Sequence, residues 1–154
     1  MKYTESVPIL SGTMRILVPS VMLILAVLCP VSYMIGVGNH PLSLAGVTAI
    51  TAILLLLAIY SVLSKITITV NDTGIRINRM FIPADNIATC KVVDDVQPYR
   101  KYGGVGIRRS PSGKGYISSG IKTGIIIERK NGSSVVVTSE HPEKILECCL
   151  SIKT

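Results

Sequence analysis

Two long uncharged stretches decide most of what this chain can become. Ile16 to Val37 and Leu42 to Leu63 each run about 22 residues without Asp, Glu, Lys, Arg or His. At about 1.5 Å per residue such a helix is roughly 33 Å long, enough for a hydrocarbon core of about 30 Å. Inside lipid a backbone must satisfy its own hydrogen bonds, so helix is the form expected for both. A soluble helical hairpin would carry a polar stripe at helical spacing, and Leu54-Leu55-Leu56-Leu57-Ala58-Ile59 carries none. A signal peptide would have a shorter apolar run and no second span. The linker Gly38-Asn39-His40-Pro41 combines two helix breakers and forces an antiparallel pair.

Within the spans, Pro19 lies near a helix start, whereas Pro30 is internal and predicts a kink. Ala45, Gly46, Thr48 and Thr51 form a small-residue face suited to close helix packing. With no ionisable group inside either span, neither a proton relay nor ion coupling has a carrier. Lys2 and Arg15 flank the first span and Lys65, Arg76 and Arg79 follow the second, while the linker has no Lys or Arg. The positive-inside rule then puts both termini in the cytoplasm of a multi-pass protein of the cell membrane.

The predicted organisation is a lead at 1–15, the two-span hairpin at 16–63 and one cytoplasmic domain at 64–154. About 90 residues suffice for one small domain. The chain carries a formal net charge of +7, an excess that suits anionic head groups or an acidic partner. The basic residues are scattered, and with no reading helix or aromatic platform nucleic acid is not expected. Adjacent Cys148 and Cys149 suit neither a framework disulfide nor a C-x-x-C site, and read as apolar helix packing in a reduced compartment.

After the hairpin the period changes to two. Ile66–Val70 and Ile75–Arg79 alternate around Asn71-Asp72-Thr73-Gly74, predicting strand, turn and strand. Phe81–Asn86 reads as a bend and Ile87–Val93 as a third strand, with a polar loop over Asp94–Tyr102. The glycine-rich segment from Tyr102-Gly103-Gly104-Val105-Gly106-Ile107-Arg108-Arg109 to Gly115-Tyr116-Ile117 predicts two short strands and a turn. Asn131-Gly132 joins two more, Gly124–Arg129 and Ser134–Thr138. Pro142 and Glu143 open a final helix whose apolar stripe is Ile145, Leu146, Cys149 and Ile152.

Seven strands and one closing helix, together with Tyr-Gly-Gly-x-Gly-Ile-Arg, Gly-Tyr-Ile, the Asn-Gly hairpin and Ser-x-x-Pro-Glu, resemble the prokaryotic membrane-anchored pleckstrin-homology-like domain. In that group such a domain follows a two-span hairpin, and the position of Val105 is often aromatic, typically Trp; this chain has no Trp. The resemblance implies an α+β membrane protein with a PH-like, curved seven-stranded β-sheet or barrel and a C-terminal helix. It does not bring phosphoinositide binding with it, because the turn read as the first of the domain is acidic rather than basic.

No catalytic constellation stands out. Gly113-Lys114 fails the phosphate-loop pattern, since Arg108 stands where its first glycine should be and Gly115 where Ser or Thr should follow. Gly104-Val105-Gly106 lacks the third glycine of a dinucleotide fingerprint. His40 and His141 have no metal-ligand spacing. No enzyme activity, cofactor, metal or small-molecule substrate is therefore expected. The leading expectation is a binding or assembly module for a protein partner or for copies of itself; the alternative is anionic-lipid sensing. The candidate contact residues are Arg100, Lys101, Arg108, Arg109 and Lys114, as phosphate-pairing charges.

Overall fold

The computed structural model describes residues 2–36, 43–96, 102–110 and 113–152. The chain divides into two compact units, Gly12–Ser64 and a β-unit made of Met1–Ser11 with Lys65–Thr154.

The first unit is a pair of helices, α1 (Met14–Ile35) and α2 (Leu44–Leu63), both long and apolar enough to cross a membrane. The ends differ from expectation. Helix α1 stops at Gly36, whose left-handed φ of 69° lets its N–H close on the carbonyls of Ser32 and Tyr33. Helix α2 starts at Ser43, whose side chain accepts from the Gly46 N–H at 3.3 Å. The expected linker residues, His40 included, lie outside the described residues. Helix α1 is continuous through Pro19 and Pro30. The helices pack along each other, and their buried positions are Pro19, Ala26, Val47 and Ala58. Of the expected small-residue face, Gly46 and Thr51 are half-buried, whereas Ala45 and Thr48 are exposed. The hydroxyls of Thr48 and Thr51 turn back onto carbonyls of their own helix. Most of the large apolar side chains stay open: Ile24 is 57% exposed and Leu56 66%.

The β-unit has nine strands among the described residues, two more than the sequence predicts. Sheet A is a meander of β1 (Tyr3–Pro8), β2 (Lys65–Asn71), β3 (Gly74–Ile77) and β4 (Met80–Pro83). Residues 3–8, read from the sequence only as part of a short lead, form its first strand, antiparallel to β2 from Tyr3↔Val70 to Pro8↔Lys65. The helical pair is therefore inserted between two neighbouring strands. The turn over Asn71–Gly74 is the second connection of the sheet, not the first. Strand β3 stops at Ile77 because Asn78 takes a positive φ of 51°. The Asn78 side chain accepts from the Thr67 N–H at 2.7 Å, and its own N–H donates to the Thr67 carbonyl at 2.8 Å. The chain then turns back at once, so the expected bend at Phe81–Pro83 is strand β4. Gly74 is required here: with φ at 147°, a Cβ would run into the Ile82 carbonyl of β4.

A 3₁₀ turn at Ala84–Asn86 leads to sheet B. Its order is β5 (Ile87–Val93), β8 (Gly124–Arg129), β9 (Ser134–Thr138), β7 (Gly113–Ile117) and β6 (Gly106–Ser110), with β7 and β9 parallel. The two sheets are open and separate, not the closed barrel that the resemblance allowed. Helix α3 (Pro142–Ile152) packs against β1, β2, β5 and β8. Between the sheets lies one core, with Ile66, Ile68, Ile75 and Ile77 of sheet A facing Ile125, Ile127 and Val137 of sheet B, and Ile145, Cys148 and Cys149 of α3 beside them. Full burial of each large aliphatic side chain contributes about 1.5–3 kcal/mol. Cys148 and Cys149 act as packing groups, as their apolar neighbours predict.

The outer face of sheet B has a smaller core of its own. Val96, Ile117 and Val136 are buried there with Val93, Tyr102, Val105 and Ile126 packed around them. Gly115 makes room for the Tyr102 ring: a Cβ would stand 2.8 Å from Tyr102 Cδ1. Tyr102 supplies an aromatic ring beside Val105 on this face.

Candidate functional site: a basic groove

Strand alternation sorts the cations of the glycine-rich hairpin onto two faces. In β6, Ile107 and Arg109 stand opposite Tyr116 and Lys114, and Arg108 stands opposite Gly115. Tyr116 belongs to the inter-sheet core and Gly115 to the outer face. Arg109 and Lys114 therefore point to the core side, and Arg108 to the other. There Arg108 donates from Nε to the Val105 carbonyl at 2.9 Å and leans over Gly104. It braces the glycine-rich segment and is separated from its two expected companions. Arg100 and Lys101 lie outside the described residues.

Sequence reasoning missed the third member of the cluster. Ile125 and Ile127 of β8 face the core, and Arg129 continues that alternation at the strand's end. The period-two rule that identified the strand also pointed Arg129 inward, which was the available signal. Arg109, Lys114 and Arg129 line one open groove of about 350 Å³, together with Ser110, Ser133 and Val135. Gly113 lets the start of β7 approach β9 this closely, because with φ at 143° a Cβ there would overlap the Ser134 carbonyl.

Among the described residues no carboxylate lines this groove. Arg109 and Lys114 are exposed and sit directly opposite each other across the β6–β7 ladder. Like charges so placed are mutually destabilising. Arg129 is half-buried. Its Nη2 lies 2.9 Å from the thioether sulfur of Met80, a weak acceptor, and its buried Nε has no hydrogen-bond partner. The Tyr116 hydroxyl approaches the same sulfur at 3.8 Å. Burial raises the Tyr116 pKa, and the Arg129 charge partly opposes that. The acid next along the chain, Glu128, is turned to the outer face. It accepts from Thr89 at 2.6 Å and pairs with Lys91 at 3.3 Å, which lowers its pKa.

Elsewhere the surface offers less chemistry. A depression of about 450 Å³ beside the 3₁₀ turn is lined mainly by alanine and isoleucine, with Asp85 and Lys130 as its charges. Among the described residues no three His, Cys, Asp or Glu side chains gather as a metal-holding group. His141 heads α3, and its N–H donates to Ser139 Oγ at 3.0 Å.

Fold and site together define a mixed α+β protein in which a pair of membrane-length apolar helices interrupts a two-sheet domain bearing a basic groove. The chain belongs to the family described as protein of unknown function (DUF3093), whose model matches residues 13–149. That match takes in both helices, both sheets from β2 onward and most of α3, and begins just after β1. No curated protein and no solved structure is detectably similar.

Proposed function

We propose that this chain is a non-enzymatic integral membrane protein that displays a PH-like binding domain at the cytoplasmic face. The observation that carries the reading is the exposure of the helical pair. Its outward surface is dominated by large Leu, Ile, Val and Met side chains, and its buried positions are Pro19, Ala26, Val47 and Ala58. In water such a surface would drive association; in a bilayer it is solvated by acyl chains. Both termini are cytoplasmic, because Arg15 and Lys65 mark the two outer helix ends. The PH-like assignment draws support from two sheets sharing one core, with a C-terminal helix packed against both.

The domain works by binding a protein partner or another copy of itself. Strand β6 is an edge of sheet B, with Ile107 57% exposed on it. An unpaired edge with an exposed apolar side chain accepts an added strand.

Two measurements test this reading. The full chain should stay with membranes through alkaline extraction, and a protease added to sealed right-side-out vesicles should leave the β-unit intact. Release by alkaline extraction would refute the anchor, and digestion from outside would refute the orientation. A photo-crosslinker placed at Ile107 in native membranes should capture a discrete adduct that Arg108 and Lys91 positions do not.

A further inference from the structure

We infer that the groove between β6–β7 and the end of β8 is a binding site for a phosphate-bearing anion, held by Arg109, Lys114 and Arg129. The inference rests on reading the β-unit as a binding module and names a ligand class for it. Three cations converge there with no carboxylate among the described lining residues, although the β-unit carries acids at Asp72, Asp85, Asp94 and Asp95. Two of the cations, Arg109 and Lys114, are register partners, an arrangement that costs the hairpin stability unless an anion sits between them.

Arg129 adds an independent sign. Its buried Nε lacks a partner, and a thioether is the sole acceptor its guanidinium reaches among the described residues. A buried donor without an acceptor is costly, and a guanidinium pairs best with planar or tetrahedral oxyanions in bidentate fashion. Two arginine forks and one lysine point charge match the several oxygens of a phosphate better than the single carboxylate of one acidic side chain. A volume of about 350 Å³ also falls at the small end of the range for compact ligands. A lipid head group and a free phosphorylated molecule present the same chemistry, so the test separates them.

The full chain is placed in phosphatidylcholine nanodiscs and titrated with pyrophosphate by calorimetry. In a second arm, native mass spectrometry measures retention of phosphatidic acid over phosphatidylcholine from mixed discs. Arg129→Gln, Lys114→Gln and Arg108→Gln are compared in both arms. Loss of one charge-assisted contact corresponds to roughly 10–100-fold weaker binding. We expect that loss for Arg129→Gln and Lys114→Gln, and wild-type binding for Arg108→Gln, whose side chain is on the other face. Saturable pyrophosphate binding identifies a free anion as the source; selective retention of phosphatidic acid identifies the head group. Lys114 is exposed, so Lys114→Gln decides the matter if Arg129→Gln unfolds. No binding in either arm, or equal loss in Arg108→Gln, overturns the proposal. A protein that binds pyrophosphate yet is released by alkaline extraction would keep the groove and refute the anchor.

Discussion

Glu5 fastens the N-terminal strand to the far side of its unit, and replacing it tests how β1 is held. Its Oε2 accepts from Ser139 Oγ at 2.6 Å and its Oε1 from the Glu140 N–H at 2.8 Å, while Tyr3 donates to Oε2 at 3.3 Å. Ser139 is fully buried, and Glu5 is half-buried. A hydrogen bond to a charged group contributes about 1.5–3 kcal/mol net. Glu5→Gln keeps one carbonyl acceptor and turns an amide N–H₂ toward the other donor, so about 2 kcal/mol should be lost. Glu5→Ala loses both bonds and should cost about 3 kcal/mol or more. For a domain of this size about 2 kcal/mol lowers Tm by roughly 8–16 °C. Thermal unfolding of the full chain in detergent micelles reads this directly. Tyr3 provides a second readout. Its pKa is pushed up to about 12 by burial first and then by the Glu5 charge and hydrogen bond. A raised phenol pKa means that stability is complete below about pH 10, the unfolded value, and is lost as pH climbs toward 12. In Glu5→Gln the Tyr3 titration should move down from about 12 but stay above the ordinary phenol value, because burial, the largest cause, remains. An unchanged Tm together with an unchanged phenolate titration would refute the reasoning.

Four further outcomes are expected from the packing. Gly115→Val should destabilise the β-unit by about 1–3 kcal/mol, since its side chain meets the Tyr102 ring; the same change in a Tyr102→Ala background should cost less, as denaturant titration would reveal. Ile68→Ala, in the centre of the inter-sheet core, should cost about 2–5 kcal/mol by the same assay. Leu56→Arg places a charge near the middle of α2 at an exposed position; if the pair spans a bilayer as proposed, insertion is penalised by about 2.5–3.5 kcal/mol, and the membrane-bound fraction should fall in cell fractionation. Cys148 and Cys149 are buried, so both should resist a polar thiol reagent until the β-unit unfolds.

The helices were legible because their signal is local. A long uncharged apolar run reads as helix whatever surrounds it. Their ends were less legible, since Gly36 and Ser43 compete with Gly38 and Pro41 as stop and start signals. Strands β2, β3 and β5 to β9 showed through alternation, the glycine-rich segment or an Asn-Gly turn. Strand β1 did not: in Tyr3-Thr4-Glu5-Ser6-Val7-Pro8 the inward side carries a carboxylate between Tyr3 and Val7, and nothing nearby in sequence says that Ser139 and Glu140 will bind it. Strand β4 was hidden because Phe81 and Pro83 point outward and Asn78 concealed the turn.

The basic site divides along the same line. The presence of Arg108, Arg109 and Lys114 in a hairpin was readable from sequence. Their assignment to faces required the register, which sends Arg108 to Val105 and the other two to the groove. Arg129 enters only because β9, from the Asn-Gly hairpin, lies between β8 and the parallel β7. Hydropathy and period, which act over one turn or one strand, determined the apolar helices and the β-rich character of residues 65–138. Pairing between segments remote in sequence, β1 with β2 across the inserted helices and β7 with β9, decided which charges meet. Those pairings depend on side chains that are neighbours only after folding.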